Sequence, residues 1–74
     1  MSRRRLFLLK VQGRVKIPDY VQVRDERQSL LAYFRADRPE QGLERVPNLS
    51  PEAKARLATL IRTLPYGKLV EVEL

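Results

Sequence analysis

SPEAKARLATLIRTLPYGKLVEVEL, residues 50–74, decides the fold. Ser50-Pro51-Glu52 is a helix start: the Ser oxygen can accept a free amide of the first turn, Pro suits that turn, and Glu complements the helix dipole. Downstream, Ala53, Leu57, Leu60, Ile61 and Leu64 recur at helical spacing as one apolar stripe, leaving Lys54, Arg56, Arg62 and Thr63 for solvent or a partner. Pro65 and Gly67 stop the helix. Lys68 to Leu74 then alternates strictly, with Val70, Val72 and Leu74 inward and Glu71 and Glu73 outward. A helix and a strand that each carry one apolar face call for two packed layers.

Working outward, RLFLLKVQ from Arg5 to Gln12 predicts a first strand, with Phe7, Leu9 and Val11 on one side and Leu6 and Leu8 on the other. Gly13 and Pro18-Asp19 mark breaks, so residues 13–27 read as a long polar connection with a short extended piece at Tyr20 to Arg24. QSLLAYFRA, Gln28 to Ala36, favours a strand through its aromatic pair, with helix left open by Leu and Ala. Asp37 to Leu49 holds two prolines and a glycine among charges and reads as a mobile loop. The expected fold is α+β: one domain over residues 1–74, ordered β-β-α-β, with a three-stranded, mainly antiparallel sheet packed against one amphipathic helix.

Composition narrows the function. The 74 residues carry 15 Lys and Arg against 9 Asp and Glu, a formal charge of +6, and contain no Cys and no His. A domain of this size buries only about 60% of its unfolded surface, and disulfides and Cys or His metal ligands are absent, so packing or a partner must supply stability. Without His or Cys, the usual acid, base and nucleophile chemistry is missing, and Gly13, Gly42 and Gly67 stand too far apart for a phosphate loop. Asp25-Glu26 and Glu71/Glu73 read as solvated charges. The expectation is a non-enzyme with no metal site. The apolar run Leu6 to Leu9 is too short for a span or a signal peptide, so no membrane insertion is expected and a cytosolic setting is the default.

A surface this positive attracts polyanions: nucleic acid, an anionic membrane face or acidic protein. Phe7, Tyr33 and Phe34 beside arginines could stack bases, which keeps a small RNA-binding or ribosome-associated module as the alternative. Against it, no aromatic ribonucleoprotein motif or GXXG loop is present, and acidic residues are interleaved through residues 25–26, 37–44 and 71–73.

VRDERQSLLAYF, Val23 to Phe34, together with GKLVEVEL, Gly67 to Leu74, resembles the small linker polypeptides of phycobilisomes: the allophycocyanin core linker and the CpcD-like domain. In that family a strand of the type RxFxxxV, a basic turn, a Tyr-Phe strand, a Val-Pro step, an amphipathic helix and a GKIVxVxL-like strand follow in order. The corresponding stretches are Arg5 to Val11, Arg24 and Arg27, Tyr33-Phe34, Val46-Pro47, Ser50 to Leu64 and Gly67 to Leu74. Departures are Asn48 after Val-Pro, Tyr66-Gly67 for a Gly-Gly, and Arg35 to Arg45 as an insertion.

The resemblance implies a non-catalytic linker in the central cavity of allophycocyanin or phycocyanin trimers. It would assemble the light-harvesting antenna and tune energy transfer from the cytoplasmic side of the photosynthetic (thylakoid or cytoplasmic) membrane. Partners would be phycobiliprotein α and β subunits and other linkers, not nucleic acid. It would bind no cofactor covalently and lie close to the bilin chromophores of its partners. The partner-binding residues expected are Arg3, Arg4 and Arg5 at the start, Arg24 and Arg27 in the basic turn, and Tyr33 and Phe34. Each has a plainer reading: a solvated terminus for Arg3 to Arg5, pairing with Asp25, Glu26 or Asp37 for Arg24 and Arg27, and core for one of the two aromatics, which point to opposite faces of a strand.

Overall fold

A computed structural model describes residues 4–74, which form an α+β domain of two layers. The elements are β1 (Arg5–Val11), β2 (Tyr20–Arg24), β3 (Leu30–Arg35), α1 (Pro39–Leu43), α2 (Pro51–Thr63) and β4 (Leu69–Glu73). The strands make one antiparallel sheet in the order β3-β2-β1-β4. The class is the one expected, with a fourth strand and a second helix added.

The added strand is Tyr20–Arg24, read from sequence as an extended piece inside a loop. It lies between β1 and β3, pairing Leu8 with Val23 and Lys10 with Val21 on one side, and Val21 with Phe34 and Val23 with Ala32 on the other. Val21 and Val23 are fully buried, whereas Tyr20, Gln22 and Arg24 alternate with them on the opposite face. The β2–β3 turn is closed by Asp25: its Oδ1 accepts the Arg27 and Ser29 amides, both at 2.9 Å, and Gln28 takes φ 66°.

The added helix is α1, in the stretch read as a loop. Pro39 fills its first turn, and Pro39, Gly42 and Leu43 are buried. Gly42 is needed there because a Cβ would collide with the Phe34 ring. The breaker read from sequence is therefore a close-packing contact that lets a helix sit on β3. Exposed ion pairs Arg62–Glu40 (2.6 Å) and Lys54–Glu44 (3.0 Å) link α1 to α2, and water screens both.

Helix α2 starts as its sequence predicts. Ser50 Oγ accepts the Ala53 amide at 3.1 Å, with Pro51 and Glu52 in the first turn. Ser50→Ala is expected to cost about 1 kcal/mol, read as a shift in urea midpoint with unchanged slope; no shift would mean the cap contributes nothing. Its buried face is Leu57, Ala58 and Ile61, with Leu64 at the end, while Ala53 and Leu60 are half-buried. Together with Leu43 and Val46, this face covers Leu6, Leu8, Val21, Val23, Ala32, Phe34 and Val72 of the sheet. The helices cover that face alone, and among the described residues no helix covers the other.

Candidate docking surface

The open face follows from strand alternation. Because Leu6, Leu8, Val21, Val23, Ala32, Phe34 and Val72 point to the helices, their neighbours Arg5, Phe7, Leu9, Val11, Tyr20, Gln22, Arg24, Tyr33, Arg35 and Glu71 point away. Register sets them in rows: Arg24, Phe7 and Glu71 in one, Tyr33, Gln22, Leu9 and Leu69 in the next, and Arg35, Tyr20 and Val11 in a third.

Aromatic and aliphatic groups thus run through the middle of a face with arginines on its β2–β3 side. Tyr20 and Tyr33 lie with ring centroids 4.9 Å apart and planes tilted by 44°. The Arg24 guanidinium donates to Gln22 Oε1 through Nε (3.2 Å) and Nη2 (2.7 Å), which orders it along β2. Arg35 donates to Asp37 through Nε (3.1 Å) and Nη2 (2.8 Å). That pairing raises the pKa of Arg35 and holds Asp37 below the ordinary carboxylate range.

The structure sorts the residues expected from sequence. Tyr33 is on the open face, 48% exposed, and Arg5 and Arg24 share that face. Arg27 is exposed in the β2–β3 turn, where its amide binds Asp25. One expectation needs correction. Phe34 is 6% exposed, because β3 alternation turns it inward beneath α1, so it is core and not a surface contact. Arg4 is engaged within the fold, donating to the Pro47 and Asn48 carbonyls at 2.7 and 3.1 Å. Arg3 lies outside the described residues. Sequence reasoning missed Tyr20, Arg35 and Leu69; the Val21/Val23 alternation is the signal that places Tyr20 beside Tyr33.

At the end of the sheet that holds the β1–β2 loop, a polar cluster closes the core. Lys10 continues the inward row of Leu6 and Leu8 and is 8% exposed. Its Nζ donates to the Ile61 carbonyl at 3.0 Å, in the last turn of α2, and stands 5.1 Å from the Tyr66 ring centroid. The stem packs in the core while the ammonium meets the negative end of the helix. Asp19 Oδ2 accepts the Tyr66 hydroxyl at 2.6 Å and Oδ1 accepts the Gly13 amide at 2.7 Å.

The Tyr66 hydrogen bond foremost, then the Gly13 amide and the Lys10 charge, hold Asp19 below the ordinary carboxyl pKa, and Asp19 in turn raises that of Tyr66. A carboxylate with both oxygens engaged and a lowered pKa is a poor general base. The cluster therefore reads as structural. Because its folded pKa is depressed, Asp19 adds stability above its unfolded pKa and loses it as pH falls through the folded value. In Tyr66→Phe the Asp19 carboxyl resonance is expected to titrate at higher pH than in the parent; an unmoved midpoint contradicts this account.

Among the described residues no group of three or more His, Cys, Asp or Glu is placed to hold a metal, and no helix is long and apolar enough to cross a membrane. Comparison with protein-family models, with curated proteins and with solved structures returns no match.

Proposed function

We propose that this chain is a non-catalytic docking module that offers the open face of its sheet to an acidic protein assembly. The observation that supports this is the continuous surface of Tyr33, Tyr20, Leu9, Val11 and Leu69 beside Arg24 and Arg35. Exposed aromatics and arginines are the residue types that anchor protein interfaces, and the net charge of +6 steers association with a negative partner.

On the order of its motifs, which resembles that of the phycobilisome linkers, the partner proposed is a trimer of allophycocyanin or phycocyanin. The chain would sit in its central cavity, beside partner bilins, at the cytoplasmic side of a photosynthetic membrane. Gel filtration with purified trimers tests this: co-migration and a shifted bilin absorption are expected, and their joint absence sinks the proposed partner.

One observation favours the RNA-binding alternative, the tilted Tyr20–Tyr33 pair flanked by Arg24 and Arg35. Base stacking uses such rings and phosphates use such arginines. Glu71 and the aliphatic strip of Leu9, Val11 and Leu69 on the same face offer nothing to phosphates, which ranks this reading second. Salt-dependent retention on single-stranded RNA, without any response to phycobiliproteins, would reverse the order.

A further inference from the structure

We propose that the free edge of β3 takes an extended acidic peptide segment as an added strand, anchored at one end by Arg38 and Arg45. This attachment rests on the reading of the partner as acidic protein and adds a second contact beside the open face. The Ala36 amide donates to the Asp19 carbonyl at 2.8 Å, and opposite residues of an antiparallel ladder alternate between bonded and unbonded pairs. Counting along the register of β2 and β3, Val21–Phe34 and Val23–Ala32 are bonded pairs, so the main chain of Tyr33 and Arg35 turns away from β2. β3 is the last strand of the sheet, and these groups point off its edge. The Arg38 amide donates to the Arg35 carbonyl at 3.2 Å, which leaves the Tyr33 amide and carbonyl and the Arg35 amide for a further strand.

Beside this edge lies a recess of about 250 Å³ lined by Tyr20, Phe34, Arg35, Arg38, Gln41 and Arg45. Tyr20 and Arg35 belong to the open face and Phe34 to the helix layer, so the recess passes around β3 from one face to the other. Arg35 is matched by Asp37, and the nearby acids Glu40 and Glu44 are paired with Arg62 and Lys54 of α2. Among the described residues the guanidinium groups of Arg38 and Arg45 make no hydrogen bond or ion pair. Two unpaired cations therefore stand where a strand laid on β3 would end.

Charge selects both the edge and its occupant. The opposite edge is β4, where Glu71 and Glu73 repel an acidic strand and the Glu73 carbonyl already accepts Arg56 Nη1 at 3.1 Å. A second copy brings the same net charge of +6 to the β3 edge. Phosphates satisfy the arginines but bring no donor to the Tyr33 carbonyl; an acidic peptide satisfies both, its backbone giving affinity and its side chains specificity. Running antiparallel to β3, such a segment alternates in step with it. Side chains level with Phe34 lie toward α1, where carboxylates meet Arg38 and Arg45. Those level with Tyr33 lie on the open face, where an apolar group packs on its ring. Alternating acidic and apolar residues are the ligand chemistry this edge fits.

Titrating the isotope-labelled full chain with a short, end-capped peptide of alternating glutamate and valine, followed by amide resonances, tests the proposal. The Tyr33 and Arg35 amides are expected to shift and to gain protection from exchange, and added salt is expected to weaken binding. A lysine–valine peptide is expected to bind about tenfold more weakly or worse, and so is the glutamate peptide to the double variant Arg38→Glu, Arg45→Glu. N-methylation of the peptide amides that face β3 is expected to abolish the shifts at Tyr33 and Arg35. Shifts confined to β4, undiminished binding of the methylated peptide, or equal affinity for the lysine peptide would each overturn the proposal. The methylated peptide is tested on the parent chain, so it decides the matter even where the double variant does not fold. Shifts of the same two amides that grow with protein concentration alone would give the edge to a second copy, and tighter binding there of a single-stranded oligonucleotide would give it to nucleic acid; both overturn the proposal. No phycobiliprotein is present in this titration, so it and co-migration with trimers can each fail without the other.

Discussion

Phe34→Ala is expected to lower stability by about 3–5 kcal/mol, the range for an aromatic removed from a packed core. The ring is 6% exposed, is registered against the fully buried Val21, and lies so close to Gly42 that a single added carbon there would overlap it. Collapse into the vacated space is resisted from both sides, because β3 is held by its pairing with β2 and α1 is anchored by the buried Pro39 and Leu43. Domains are stable by roughly 0.05–0.15 kcal/mol per residue, so this one substitution removes much of what a chain of 74 residues possesses. Urea denaturation at neutral pH measures it. A loss under about 1 kcal/mol would mean that the ring is not in the core.

Tyr33→Ala, one residue away, is expected to do the opposite. The stability cost is confined to the Tyr20 contact, about 0.5–1.5 kcal/mol for a ring pair, because the side chain is 48% exposed and turned from the core. Affinity for the proposed trimer is expected to fall by about 2 kcal/mol or more, the mark of an interface anchor, which is roughly thirtyfold. Titration calorimetry or co-migration at graded concentration reads the change. Equal affinity for parent and variant would remove Tyr33 from the docking surface and leave Tyr20 and the arginines to account for binding. The two neighbours differ because a strand sends successive side chains to opposite faces.

Elements whose signals are local were legible in the sequence. Ser50 caps the helix through chemistry contained in four residues, and KLVEVEL alternates whatever lies around it. β2 was legible only as an extended piece, Tyr20 to Arg24, because its five residues follow Pro18-Asp19 and run into charges, and what makes it a central strand is pairing with β1 and β3, which no local pattern displays. α1 was hidden because Pro39 and Gly42 read as breakers, whereas the first fits an opening helical turn and the second makes room for a ring distant in sequence. The candidate surface shares this division. The opposite fates of Tyr33 and Phe34 follow from alternation, but the side each takes depends on α1. Tyr20, Arg35 and Leu69 join Tyr33 only once strand order and register are known. The bonds of Arg4 within the fold were not legible, because its acceptors, the Pro47 and Asn48 carbonyls, lie more than forty residues away.

The sealed position of Lys10 makes the protein its own reporter of breathing. Of the four lysines, Lys16 and Lys68 are exposed and Lys54 is half-buried, while the Lys10 amine is bonded to the Ile61 carbonyl beneath the Tyr66 ring. An amine-reactive ester should therefore modify Lys16 and Lys68 at once and reach Lys10 only in molecules whose last α2 turn has lifted from the sheet. The lag between those acylations, followed by peptide mass spectrometry, times that lifting, and anything clamping the domain should lengthen it.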